Sequence, residues 1–511
     1  MPDPTTGRPA HEAADTALGR AATELLGDRR LVIATNRGPV SFVAGGDGRL
    51  RARRGSGGLV TALGQVGRHV PLTWVAAAMS EGDRRAAADP SLMGDVAGLD
   101  PNVRLRFASV ERSVYEAAYN VVANPFLWFL QHQMWNLPER PVIDAGLMRA
   151  WDRGYVPMNE AFARAVIEQV RGDQAPRIML HDYHLYLAAE PIRRARPRAI
   201  LSHFTHIPWP PSSIWQVIAP RMREAIGTGL LANDVVGFQT ARYAHNFLRF
   251  VESFVPSARV DYDTSTVRYG RRTVRVESYP ISIDVEATAR IARSRAARRR
   301  AAQLVESTRE RVIVRVDRLE PSKNILRGFL AYEALLQRHP RLRGRISFLA
   351  FLVPSRTSLR EYGHYGRMVQ NAVDRINARF GRAGWRPIQL FYENDYAQAL
   401  AGLSIADVVL VNPLVDGMNL VAKEAVVVSE RDAVLVLSET AGAYDQMADG
   451  ALPVAPADVV GTADALATAL QMSGDERRKR LARLRRGVER EDITHWLSRQ
   501  LSDLVEIAPR S

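Results

Sequence analysis

The sequence predicts an α/β fold of two Rossmann-like domains facing across a cleft. Three observations carry that expectation. Short apolar runs of strand length alternate with helical stretches along most of the chain. Polar residues and glycines gather where those runs end, as in parallel sheets whose strand ends hold ligands. Finally, 511 residues exceed what a single core serves, so two or three domains are expected.

Taken in order, residues 1–30 are rich in Ala, Gly and Asp and are expected to form a loose tail. The first Rossmann-like domain is expected over 31–284. Leu31 to Thr35 reads as a buried strand followed by Asn36-Arg37-Gly38, and a hairpin-like stretch then leads to Gly55-Ser56-Gly57-Gly58 and a helix from Leu59. Leu72 to Ala78 is another apolar strand, and Arg112 to Trp135 is rich in aromatic residues. Strands at Arg177 to Leu180 and Ala199 to Phe204 end in His181-Asp182-Tyr183-His184 and in Thr205-His206, and Val235 to Phe238 is a further strand. Thr273 to Ile283 closes this half. The second Rossmann-like domain is expected over 285–480, with strands at Val312 to Val316, Ile346 to Leu352, Ile388 to Phe391, Val408 to Val411 and Ala433 to Leu437. Helices in 481–511 are expected to pack back on the first domain.

Two stretches stand out chemically. Arg311 to Arg327, RVIVRVDRLEPSKNILR, reads as strand, polar turn and helix. Arg318 and Lys323 then lie at a strand's carboxyl end beside a helix N-terminus, which suits a diphosphate. The chain holds 69 Lys plus Arg but only three lysines, Lys323, Lys423 and Lys479, so a lysine at 323 marks a place where a point charge serves better than a planar fork. The second stretch is DVVLVNPLVDGMNLVAKE, Asp407 to Glu424. A strand ends at Val411, a turn holds Asp416-Gly417, and a helix runs from about Met418. Free amides around Gly417 to Asn419 can donate to hydroxyls or phosphate. Glu424, two turns inside that helix, can accept from a ribose diol.

Composition removes other classes. Hydrophobic residues at 46% and charged residues at 24% are ordinary for a globular protein. There is no cysteine, hence no disulfide or thiolate site, and a cytoplasmic location is expected. No apolar run spans a bilayer. The net charge of +14 raises a nucleic-acid partner, but the basic runs at Arg293 to Arg300 and Arg477 to Arg486 have helical spacing and read as solvated faces. No metal is expected at HDYH, whose spacing is not that of a helical ligand pair. No G-x-S-x-G elbow and no G-x-G-x-x-G fingerprint occurs.

Several motifs occur together and in order: Asn36-Arg37 with Gly57-Gly58-Leu59, Tyr119-Asn120 with Leu127-Trp128, HDYHL at 181–185, HIPWP at 206–210, VDRLEPSKN at 316–324, PSR at 354–356, and DGMNLVAKE at 416–424. With them the chain, from about residue 31 to 505, resembles the trehalose-6-phosphate synthase family, retaining glycosyltransferases of the GT-B fold. The resemblance implies that glucose passes from UDP-glucose or GDP-glucose to glucose 6-phosphate, with no obligatory cofactor, no nucleic-acid or membrane partner, and self-association left open. It implies that Arg318 and Lys323 hold the donor diphosphate. Asp416 with the amides of Gly417, Met418, Asn419 and Leu420, together with His206, would grip the donor sugar. Glu424 would meet the ribose, and Gly58 the donor-closing loop. Arg37, Tyr119, Trp128 and Arg356 would bind glucose 6-phosphate, with Asp182 on the acceptor side. Arg318, Lys323, Asp182 and His206 would be catalytic. One departure stands out: many members carry Gly-Trp-Ser-Gly where this chain has Ala76-Ala77-Ala78-Met79. It keeps open a related enzyme that couples a nucleotide-cyclitol to an amino-cyclitol phosphate. A silent sugar-phosphate sensor is the alternative from another class.

Overall fold

A computed structural model gives the architecture and describes residues 10–27, 29–44, 49–54, 63, 67, 70–93, 99–355 and 360–507. The chain divides into two compact units, Met1–Pro280 with Thr494–Ser511, and Ile281–Ile493.

In the first unit the strands are β1 (Leu31–Thr35), β2 (Val40–Ala44), β3 (Leu50–Arg54), β4 (Leu72–Ala77), β5 (Val103–Ala108), β6 (Arg177–His181), β7 (Ile200–Thr205), β8 (Val235–Phe238), β9 (Ala258–Asp261), β10 (Thr266–Tyr269) and β11 (Arg272–Ser278). Nine of them form one sheet in the order β5-β4-β1-β6-β7-β8-β11-β10-β9. The pairings from β5 through β11 are parallel, whereas β10 and β9 are antiparallel additions at one edge. β1, β4, β6, β7 and β8 are buried along their whole length, as a sheet covered on both faces requires. The order of strands reverses between β1 and β6, so the turns after Thr35 and His181 border one crevice.

Residues expected as a loose tail instead carry a helix, Ala10–Leu26. Its Leu18, Ala22, Leu25 and Leu26 are buried, an i, i+4, i+7, i+8 stripe, and Arg177 Nε donates to Leu25 O at 3.0 Å. Of the C-terminal helices, Gly474–Arg490 lies in the second unit, and Ile493–Ile507 falls almost wholly in the first. There Trp496 Nε1 donates to Tyr279 O at 3.0 Å, and Tyr279 donates to Asp503.

The second unit holds β12 (Arg311–Leu319), β13 (Ile346–Pro354), β14 (Ile388–Phe391), β15 (Val408–Val411), β16 (Val434–Ser438) and β17 (Leu452–Val454), all parallel, in the order β14-β13-β12-β15-β16-β17. Numbered from its own first strand this is the 3-2-1-4-5-6 order of the Rossmann fold, with its switch point between β12 and β15. The two strands are registered through Ile313–Val408 and Val314–Val409, and β12 continues to Leu319. Phe329, Tyr332 and Phe348 fill the core behind them, the Phe329 and Phe348 rings edge to face at 5.4 Å.

Candidate active site

Each switch point gathers a group of polar side chains. In the second unit Arg318 sits at the end of β12, half-exposed, with its guanidinium 3.0 Å from the buried Glu320. β12 runs past Arg318 to Leu319, further than the apolar run to Val316 suggested. After it, Pro321–Lys323 makes one 3₁₀ turn, and Asn324 adopts φ +55° before the helix Ile325–Arg338. Asparagine tolerates that left-handed conformation better than most side chains. Its Nδ2 donates to Asn412 O at 3.0 Å and to Pro456 O at 2.7 Å, which ties the turn to the neighbouring strand end.

Lys323 Nζ meets Asp416 Oδ2 as an ion pair, and both side chains are largely buried. Asn419 Nδ2 donates to the same oxygen at 3.1 Å. Asn419, at φ +86°, caps the helix Leu420–Val428, its Oδ1 accepting from Ala422 N at 3.3 Å. The helix therefore begins at Leu420 rather than Met418. Gly417 and Met418 form the turn before it, held by Ala443 N donating to Met418 O at 2.8 Å. A Cβ at Gly442 would overlap the Gly417 carbonyl oxygen, so this backbone approach requires glycine. Glu424 lies in the second turn and accepts from Tyr396 Oη at 3.0 Å. Burial pushes its carboxyl up to about 7, opposed by that bond.

Arg315 supports this whole corner and was missed in the sequence. It is fully buried within β12. Its Nη2 is 2.8 Å from Asp317 and donates to Lys323 O at 3.0 Å, and its Nη1 donates to Ile325 O at 3.3 Å. Burial raises the Asp317 carboxyl pKa, with Arg315 and then Lys323 opposing. A Cβ at Gly328 would overlap the Arg315 guanidinium. Lys423, the second rare lysine, is buried and donates to Ile281 O at 2.8 Å and to Gln446 Oε1 at 2.7 Å. Burial brings its amine down to about 7.

In the first unit Arg37 Nη2 donates to Tyr119 Oη at 3.4 Å. Tyr119 stacks between Tyr115, centroids 5.4 Å apart, and His184, 5.7 Å. It lies in a π-helical stretch, Ala118–Leu127, where Asn124 Nδ2 donates back to Tyr119 O at 3.0 Å. Such wide turns recur at functional sites. The Arg37 turn is fixed by Ala77 N donating to Asn36 O at 3.2 Å, and a Cβ on Gly38 would stand 3.0 Å from Ala76 Cβ. Ala76 and Ala77 therefore meet this turn, the first with its side chain and the second with its amide.

Asp182 has φ +73° and ψ 168°, a conformation that costs about 1–3 kcal/mol for a non-glycine residue. It is held by Asp182 N donating to Phe204 O at 2.7 Å and His206 N donating to Asp182 Oδ1 at 3.2 Å. Of the six non-glycine residues with positive φ among the described residues, Asp182, Asn324 and Asn419 lie in these strand-end turns. His206 Nε2 is 3.2 Å from His181 Nδ1. Burial, then His181 and His203, hold His206 neutral, which suits bonding to a hydroxyl. Trp128 is 1% exposed and stacks on His132 at 4.0 Å. Gly58 and Arg356 lie outside the described residues. Among the described residues no group of three or more His, Asp or Glu is placed to hold a metal ion.

One unit carries a cation-bearing loop and amide-rich turn; the other carries Arg37, Tyr119 and Asp182 at its own strand ends. The chain is similar to known proteins. The sequence profile of Glycosyltransferase family 20 matches residues 29–506. A bifunctional trehalose-6-phosphate synthase/phosphatase of Thermoproteus tenax is 36% identical over 481 residues, 91% of this chain and 62% of that protein. The chain spans about three fifths of the length of the first curated relatives it matches. A solved E. coli structure, bound with UDP-2-fluoro glucose, is similar with TM-score 0.80 and 29% identity, covering 94% of this chain and 100% of that one. An α,α-trehalose-phosphate synthase (UDP-forming) from Burkholderia xenovorans, in complex with glucose-6-phosphate, is similar with TM-score 0.78 and 28% identity, covering 93% and 99%.

Proposed function

The chain belongs to glycosyltransferase family 20, with the GT-B fold class, and from that premise we propose that it transfers glucose from UDP-glucose to glucose 6-phosphate, giving trehalose 6-phosphate. The single observation that carries the reading is Lys323 held by Asp416, itself braced by Asn419, at the switch point of the second sheet. A sugar–phosphate bond breaks with negative charge growing on the diphosphate and positive character on the anomeric carbon. Fixed cations at the diphosphate favour that state over the ground state. Arg318 and Lys323 supply them, so no metal is needed for the leaving group. Asp416 and the turn Gly417 to Leu420 take the sugar hydroxyls, and Glu424 takes the ribose. Neutral His206 adds a hydroxyl partner. Arg37 and Tyr119 take the phosphorylated acceptor, and Asp182 lies beside its attacking hydroxyl. The configuration is retained by attack on the face the diphosphate leaves, with a leaving phosphate oxygen receiving the acceptor's proton.

No helix among the described residues is long and apolar enough to cross a membrane. Action in the cytoplasm, without a resident cofactor, belongs to this proposal. Incubating the protein with glucose 6-phosphate and either UDP-glucose or GDP-glucose, then weighing the products, tests it. The expected product is one disaccharide monophosphate made from the UDP donor; no such product from either donor overturns the proposal.

A prediction follows from the turn. Gly442→Ala must push Gly417 and Met418 off the positions that grip the donor. Overpacking of this kind costs on the order of 1–3 kcal/mol. The KM for UDP-glucose is expected to rise about tenfold or more, and that for glucose 6-phosphate to change less. Equal changes in both would contradict the turn's assignment to the donor.

A further inference from the structure

Glu424 is one half of a built pair. Helix Tyr396–Ser404 is capped by Asp395, whose side chain accepts from Gln398 N and is bonded to Arg300, its Nη1 donating at 2.7 Å. That fixes Tyr396 in the first turn, with 43% of its surface exposed and its hydroxyl donating to Glu424 Oε1 at 3.0 Å. Thr288, buried on the helix Val285–Ala292, stands near the same phenol. The hydroxyl therefore directs its proton at one carboxylate oxygen.

We propose that Tyr396 is a positioning residue for the donor, its hydroxyl occupying one oxygen of Glu424 so that the other is left to the nucleotide's ribose diol. The proposal rests on the ribose role given to Glu424 above. Nothing in the family motifs names residue 396, because it lies outside DGMNLVAKE and joins it only in three dimensions.

The consequence is a dependence on pH. Burial brings the Glu424 carboxyl to about 7, and the bond from Tyr396 is what favours its charged form. Without that bond the carboxyl loses its proton only at still higher pH. A neutral carboxyl bonds a diol less strongly than a carboxylate. Donor affinity therefore falls as pH falls through the Glu424 pKa, and losing the hydroxyl moves that fall to higher pH. The other groups nearby are accounted for. Asp284, at the N-cap of the Thr288 helix, acts on Tyr396. Asp395 is paired with Arg300. On Glu424's own helix, Lys423 is turned to Ile281 O and Gln446 Oε1. It also titrates near 7, but its contribution is common to wild type and variant.

The test is the KM for UDP-glucose of wild type and Tyr396→Phe from pH 6 to 9. An exposed hydroxyl removed from a helix's first turn leaves folding intact, which a melting curve checks. The expected result is a KM raised about tenfold near pH 6.5–7 and within about threefold at pH 9, with kcat and the KM for glucose 6-phosphate little changed. An unchanged KM, or one raised equally at every pH, overturns the proposal. Glu424→Ala separates the two layers. If it leaves the donor KM unchanged, the ribose reading fails and this proposal with it. If it raises the donor KM while Tyr396→Phe does not, only the role of Tyr396 fails.

Discussion

Lys323→Ala is expected to lower kcat by about 10²- to 10³-fold, the effect of removing one preorganised charge donor from a leaving group, or on the order of 3 kcal/mol. The lysine is not a loose surface cation. Asp416, braced by Asn419, fixes its ammonium from one side, and Arg315 fixes the Lys323 carbonyl from the other. Preorganisation of that kind matters most when charge develops, so kcat should fall more than donor affinity. Binding of UDP-glucose, followed by calorimetry, should weaken by a smaller factor. Lys323→Arg should rescue little, because a planar guanidinium does not fit where Asp416 holds a compact ammonium. Turnover near wild type for Lys323→Ala would remove the assigned role.

Much of this was legible in the sequence because parallel strands are simple to read. Val408–Val411 and Val235–Phe238 are short apolar runs bounded by polar residues, and they form strands over those spans. The chemistry at their ends was legible for the same reason: Asp416 and Lys323 interrupt apolar runs just where a sheet presents ligands. What was illegible depends on partners far away in the chain. Arg315 and Asp317 alternate with Val314 and Val316, and charged residues are seldom fully buried unless paired, which no local pattern announces. Arg315 is instead fully buried, because the turn's carbonyls and Asp317 satisfy it. Tyr396 was equally silent. The helix Ala10–Leu26 was hidden by its composition, since alanine-rich stripes carry little apolar contrast. The stack of Trp128 on His132, four residues on, likewise has no separate mark in the sequence.

Stability and catalysis divide between the two ends of the second sheet, and Asp407→Ala should separate them. Asp407 precedes β15, at the end remote from Lys323, and only 5% of its side chain is exposed. Its Oδ2 accepts from Val312 N at 2.9 Å, its Oδ1 is 2.9 Å from Arg311 and 3.3 Å from Arg477, and Arg431 stands 3.7 Å away. Arg477 also donates to Asp432 O at 2.9 Å and to Arg431 O at 2.7 Å, so it cannot swing out to water without breaking a backbone anchor. Removing the carboxylate leaves that buried guanidinium without its counter-charge and the β12 amide without an acceptor. Breaking a buried pair from one side costs about 3–5 kcal/mol. For a unit of this size the unfolding midpoint should fall by roughly 6–20 °C. Asp407→Asn, which keeps an acceptor for Val312 N, should fall less. At low temperature, where the variant is folded, kcat and both KM values should stay near wild type, because the strand ends that carry Arg318, Lys323 and Asp416 are untouched. A midpoint within about 3 °C of wild type would mean that the arginines find water on their own. A large loss of kcat in the folded variant would mean that the two ends of the sheet are not independent.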